Sequence, residues 1–192
     1  MYRLITLSIF AFVLGGCSSY ALQQAGRHEV GPFVFDTQLD WSKFTMVKPG
    51  RNTEVWTRDG QQLNSLYFVK GLKSGQTIFN NSSAQPMPEF QPGMLPNELA
   101  DFTRASLLRY LGEGSSSDGE IGMRPTNFAG DVGFLFDMNF TLENGLRYRA
   151  SSVATERDGA LYLVIYLGTD LHYYDAALSE FQMIIDTAQI AS

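Results

Sequence analysis

Cys17 is the only cysteine in this chain, and it stands directly behind Leu14-Gly15-Gly16 at the end of a short apolar run. A lone thiol there has no partner for an internal disulfide and is open to alkylation or acylation. The rest of the inventory for covalent chemistry is thin. The two histidines, His28 and His172, lie far apart in sequence, so a Cys/His zinc site is excluded. An all-carboxylate calcium site stays open by inventory, yet no D-x-D-x-D-G run is present. No G-x-S-x-G elbow raises a serine, and Ser115-Ser116-Ser117 reads as a solubilising loop. Carboxylate pairs for glycan cleavage exist only as sequence neighbours, Asp36 with Asp40 and Asp131 with Asp137. Gly112-x-Gly114 follows a helix rather than a strand, so it cannot present phosphate to a helix N-terminus. The expectation is therefore no catalytic residue, no metal and no cofactor, with a hydrolase whose site is hidden from sequence as the alternative.

The segment before Cys17 explains its placement. Met1 to Arg3 carry a small positive charge, and Leu4 to Leu14 form an apolar run of eleven residues. At about 1.5 Å per helical residue it spans ~16 Å, half of a ~30 Å hydrocarbon core. It reads as a targeting segment and not as a membrane span. Leu14-Gly15-Gly16-Cys17 resembles the bacterial lipoprotein lipobox. That resemblance implies removal of residues 1–16 as a signal peptide, a diacylated Cys17 thiol and acylation of the new N-terminus. Ser18, where an aspartate would favour the inner membrane, points to the outer membrane, with the domain facing the periplasm.

Cleavage leaves 176 of the 192 residues, enough for one domain with a real core. The chain holds 14 Lys+Arg and 20 Asp+Glu; without Arg3, 13 face 20, a net charge of −7. An acidic chain with no basic run has no footprint for nucleic acid or for anionic headgroups, so membrane association is expected from the lipid alone. Apolar residues make up 44% and aromatics 13%, which supports a packed fold. Residues 17–29 read as the lipidated cysteine and a polar tether, and residues 30–192 as one globular domain, expected to be a monomer.

Within that domain the pattern is strands, helix, strands, helix. Phe134, Phe136, Met138, Phe140 and Leu142 alternate with Asp137, Asn139 and Thr141, the clearest strand in the chain. Glu143-Asn144-Gly145 and Arg157-Asp158-Gly159 turn the chain into a meander, whose last strand, Leu161 to Leu167, is apolar on both faces. Arg147 and Arg149 share an outer strand face, where acidic cross-strand partners are expected. Pro96 opens a helix that Gly112 ends, and Thr169 or Asp170 caps a second helix with Leu178, Phe181, Ile184, Ile185 and Ala188 as its stripe. The prediction is an α+β fold, an antiparallel sheet of about six or seven strands with helices packed on it. This element order resembles the Mog1/PsbP-like α/β/α sandwich, which occurs in small lipoproteins and accessory subunits. Segments Trp56 to Gly60 and Pro92 to Phe102 also resemble bacterial lipoproteins and bring no activity with them.

The long segment Asn80 to Leu95 carries three prolines, and long ordered loops are disproportionately functional. Met87, Phe90 and Met94 are the candidate partner-binding side chains, unless they pin the loop to the following helix. Tyr162, Tyr166, Tyr173 and Tyr174 form a weaker candidate surface. The functional expectation is a lipid-anchored envelope protein acting as a non-catalytic binding or accessory module for an unidentified envelope protein. The carrier of a small apolar ligand is a further alternative.

Overall fold

In the computed structural model, residues 19–80 and 85–191 are described; the lipobox and Cys17 lie outside them. Two strands set the architecture. In β6 (Asn64–Leu72) and β10 (Ala160–Thr169), Tyr67, Val69, Leu163 and Ile165 point to one core, while Leu66, Phe68, Val164 and Tyr166 point to another. Strands apolar on both faces must lie inside a sheet that is covered on both sides. They pair with each other at the centre of an eight-stranded antiparallel sheet.

That sheet contains β1 (Tyr20–Gln23), β4 (Trp41–Phe44), β5 (Thr53–Thr57), β7 (Ser116–Phe128), β8 (Asp131–Thr141) and β9 (Arg147–Arg157) besides the central pair. Its order is β1-β4-β5-β6-β10-β9-β8-β7. One face is covered by α1 (Pro96–Leu111) through Leu99, Phe102 and Leu107. The other is covered by α2 (Tyr173–Thr187) through Tyr174, Phe181 and Ile184. Alongside α2 lies a small sheet of β2 (Gly26–Val30), β3 (Phe33–Thr37) and β11 (Gln189–Ile190), in the order β11-β3-β2. The α+β sandwich expected from the element order is what forms; among the described residues the large sheet has eight strands rather than six or seven, and three more make the small sheet.

The hairpin chemistry is local. Asp158 and Gly159 both adopt positive φ, 54° and 68°, the type I′ geometry that suits a two-residue link between β9 and β10. Glu98 reaches back to accept the Leu95 N–H at 2.8 Å, closing the first turn of α1. On α2, buried Glu180 accepts the N–H groups of Gln38 and Leu39, each at 3.1 Å, and so ties the β3–β4 turn to the helix.

Three expectations are corrected. The segment read as a tether is partly strand from Tyr20 on: β1 pairs with β4, and β2 pairs with β3 from Gly26 to Val30. Edge strands are held by main-chain hydrogen bonds and need little apolar sequence, so their polar composition conceals them. The Ser115-Ser116-Ser117 loop is partly strand, since β7 begins at Ser116 and runs along β8 with a bulge between Asp118 and Gly122. Neither Thr169 nor Asp170 caps α2. Thr169 ends β10, and the helix starts at Tyr173 with His172 in the cap position and no side-chain cap bond.

Glu54 links three strands on the flank of the sheet. Its carboxylate meets Lys43 at 2.9 Å and Lys70 at 3.2 Å and accepts the Trp56 indole N–H at 3.0 Å. Burial alone would raise its pKa, but the Lys43 and Trp56 hydrogen bonds and the Lys70 charge outweigh it and hold the group below its ordinary 4.5. A carboxyl whose folded-state pKa is depressed adds stability above its unfolded value and loses it as pH falls. Melting temperature should therefore decline as pH drops below about 4.5, and Glu54→Gln should flatten part of that slope in a thermal melt series.

Candidate functional site

A cleft of about 470 Å³ lies where α2 stops short of the β7 edge of the large sheet. Its floor is the outer face of three strands in register. Asp137 stands opposite Ser151, and Asn139 opposite Arg149, across β8 and β9. Gly122 and Arg124 of β7 stand opposite Asp137 and Leu135. The wall is one side of α2, with Tyr174, Leu178, Phe181 and Gln182 at helical spacing. Gly168 lets that wall approach: a Cβ there would sit 2.7 Å from the Tyr174 Cα.

The polar groups of the cleft are tied to one another. The Asp137 carboxylate pairs with Arg124 and accepts the Ser151 hydroxyl, each at 2.5 Å. The Ser151 proton is thereby used, so its oxygen accepts from the Tyr174 hydroxyl at 2.6 Å. Burial raises the Tyr174 pKa and the Asp137 charge adds to the rise, against the Ser151 hydrogen bond and Arg149, so the phenol remains protonated and donating. The Arg149 guanidinium lies 4.1 Å above the Tyr174 ring and pairs with Asp175 at 2.9 Å. The result is a rigid, mixed-charge surface that presents Arg124, Asn139, Arg149 and Gln182 to solvent around a fixed Tyr-Ser-Asp chain.

The catalytic candidates of the sequence are not brought together in this cleft. Ser151 is 2% exposed, so no substrate reaches its oxygen. His28 is held by Thr37 at 3.0 Å and packs on Trp56, while His172 packs on Tyr173; neither lines the cleft. Asp131 and Asp137 are six residues apart on one strand, roughly 20 Å, well beyond the ~5–9.5 Å of glycosidase carboxylates. Asp131 is instead bound by Arg157 at 2.6 Å. Asp40 accepts the Ala25 N–H at 2.7 Å. Among the described residues, no group of three or more His, Cys, Asp or Glu is placed to hold a metal ion.

Arg147 and Arg149 do pair with acids, but with Asp170 of the β10–α2 connection and Asp175 in the first turn of α2 rather than with acids of a neighbouring strand. Tyr166 is buried and donates to the backbone oxygens of Tyr173 and Tyr174, so only part of the tyrosine surface reaches the cleft. Met87, Phe90 and Met94 do not form an exposed set of anchors. Phe90 is fully buried against Phe102, Met87 is 7% exposed, and Met94 packs partly buried on the same core. Backbone bonds from Phe90 N–H to Gln76 and from Gly75 N–H to Phe90 fix the segment, and its apolar side chains help α1 to cover the sheet. The cleft itself escaped sequence reading because it needs β7, whose two glycines, proline and weak alternation hide it.

A second concavity of about 560 Å³ opens at one end of the sandwich, lined by Tyr67, Tyr110, Tyr148, Leu142, Leu146 and Gln62. Tyr110 stacks on Phe79 with ring centroids 4.1 Å apart, and Tyr148 donates to the Gln62 carbonyl.

The architecture is a PsbP-like sandwich. The solution structure of the cyanobacterial PsbP protein CyanoP from Synechocystis sp. PCC 6803 matches with a TM-score of 0.57. The two chains are 11% identical, over 92% of this chain and 96% of that one. The crystal structure of LpqN, involved in cell envelope biogenesis of Mycobacterium tuberculosis, aligns at a TM-score of 0.36 and 11% identity, over 93% of this chain and 88% of that one. No protein-family model and no curated protein matches the chain.

Phe90→Ala should remove a wholly buried ring and cost about 3–5 kcal/mol of unfolding free energy. Chemical denaturation of the isolated domain measures this. A change below about 1 kcal/mol would return Phe90 to the surface.

Proposed function

We propose that this chain is a lipid-anchored envelope protein, held by an acylated Cys17 in the outer membrane with its domain in the periplasm. Its domain acts as a non-catalytic binding or accessory module. The observation that supports this most strongly is the cleft between α2 and β7–β9. Its reactive groups are consumed by one another, and its accessible groups are a preordered set of guanidinium, amide and carboxylate functions. Groups already fixed in place lose little entropy when a polar partner segment docks on them. Mixed charge of this kind favours selectivity among partners over raw affinity. The lipobox supports the location, and two buried acyl chains would hold the protein stably where a single chain would not.

The tyrosine-lined concavity favours a second reading, the carriage of a small apolar ligand. Native mass spectrometry of protein released gently from envelopes separates the two, since a carrier retains a bound species of constant mass.

Cys17→Ser should abolish acylation and move the protein from the detergent phase to the aqueous phase on Triton X-114 partition. In the lipidated protein, a photo-crosslinking residue at Gln182 should give a discrete adduct in intact envelopes, and one at Asn97, away from this cleft, should not. Equal adducts at both positions would remove the cleft as the binding surface.

A further inference from the structure

Exposed apolar side chains gather at the other edge of the large sheet. Met46 is 69% exposed, Val47 65% and Leu22 61%, with Tyr20 on the same face of β1 as Leu22. Met46 and Val47 lie just after β4, the strand to which β1 is paired. The chain's entry point is fastened to this place. Ser19 accepts the Thr45 backbone N–H at 3.0 Å and the Thr45 hydroxyl at 3.1 Å, and its own hydroxyl lies 3.0 Å from the Met46 sulfur. Cys17 is two residues before Ser19, a reach of about 7 Å at most. Any lipid on that cysteine would therefore bring Met46 and Val47 to the level of the headgroups.

We infer that the β1 edge and the Met46–Val47 tip form a bilayer-seating surface, with Met46, Val47 and Leu22 entering the interface beside the acyl chains. The inference rests on the reading of Cys17 as the lipidated residue and goes beyond it, because the anchor alone would leave the domain free to tumble. Lys48 and Arg51 are exposed on the same loop and suit the phosphates of the headgroups. Apolar side chains at the tip and cations behind them match the layering of an interface, with each buried methylene adding to the hold of the lipid. Seating has a geometric consequence. From β1 to β8 the sheet advances six strand spacings, roughly 29 Å at about 4.8 Å each. The edge that carries the Asp137 cleft is thus held away from the membrane, facing partners in the periplasm.

The test uses the full lipidated protein in vesicles of phosphatidylethanolamine and phosphatidylglycerol. An acylated Cys17 leaves no other thiol, so Met46→Cys and, on the opposite edge, Met123→Cys can each be labelled singly with an environment-sensitive fluorophore. Flotation of the same samples reports the anchor. The expected result is co-flotation of both variants, with blue-shifted emission and several-fold stronger quenching by headgroup-proximal doxyl lipid at position 46 than at position 123. Co-flotation with equal, water-like emission at both positions would overturn the seating surface and leave the anchor intact. Blue-shifted emission at position 46 without doxyl quenching would also overturn it, by showing that a second copy or another protein covers the edge. Failure to float would remove the anchor and the seating surface together.

Discussion

The fold depends on the two-sided burial of β6 and β10. A strand that carries apolar groups on both faces cannot lie at a surface, and two such strands side by side demand cover above and below. On one side α1 and the Pro-rich segment ahead of it, pinned through Phe90, provide the cover. On the other side α2 and the small β11-β3-β2 sheet provide it, joined by Glu180 to the β3–β4 turn. Everything lateral to the central pair is covered only as far as these elements reach.

The cleft follows from that limit. Beyond β9 the α2-side layer runs out, and the odd-numbered residues of β8 change from Leu135, which is buried, to Asp137 and Asn139, which meet water. A carboxylate at the margin of a core needs partners, and Asp137 finds Arg124 on one side and the Ser151–Tyr174 chain on the other. The same network that satisfies the margin fixes its shape. The binding proposed at this edge and the seating proposed at the opposite one would use the two ends of a single sheet, which would couple orientation to recognition geometrically.

Much of this was legible in the amino-acid pattern. The alternation of Phe134 to Leu142, the Asp158-Gly159 turn, the doubly apolar Leu161 to Leu167 and the Pro96 helix start all act locally, through side-chain burial and φ preferences. What was hidden depends on partners distant in sequence. β1 and β2 exist because β4 and β3 offer backbone hydrogen bonds, and their own residues are mostly exposed. β7 is an edge strand with two glycines, a proline and a bulge, so no period marks it. Without β7 the floor of the cleft cannot be assembled, and Asp137 reads as an ordinary solvated carboxylate. The Pro-rich segment misled in the opposite direction. Its length, its three prolines and its Met and Phe side chains suit a docking loop, yet the uncovered end of the sheet beneath α1 claims the same side chains.

Amide hydrogen exchange, compared between the protein in native envelopes and the same protein released and purified, tests the central claim most directly. If the cleft is the binding surface, amides of residues 173–182 in α2 and 122–124 in β7 should exchange more slowly in envelopes. The β8–β9 turn at residues 143–145 should be unchanged. Identical exchange across the cleft in both preparations would contradict the account.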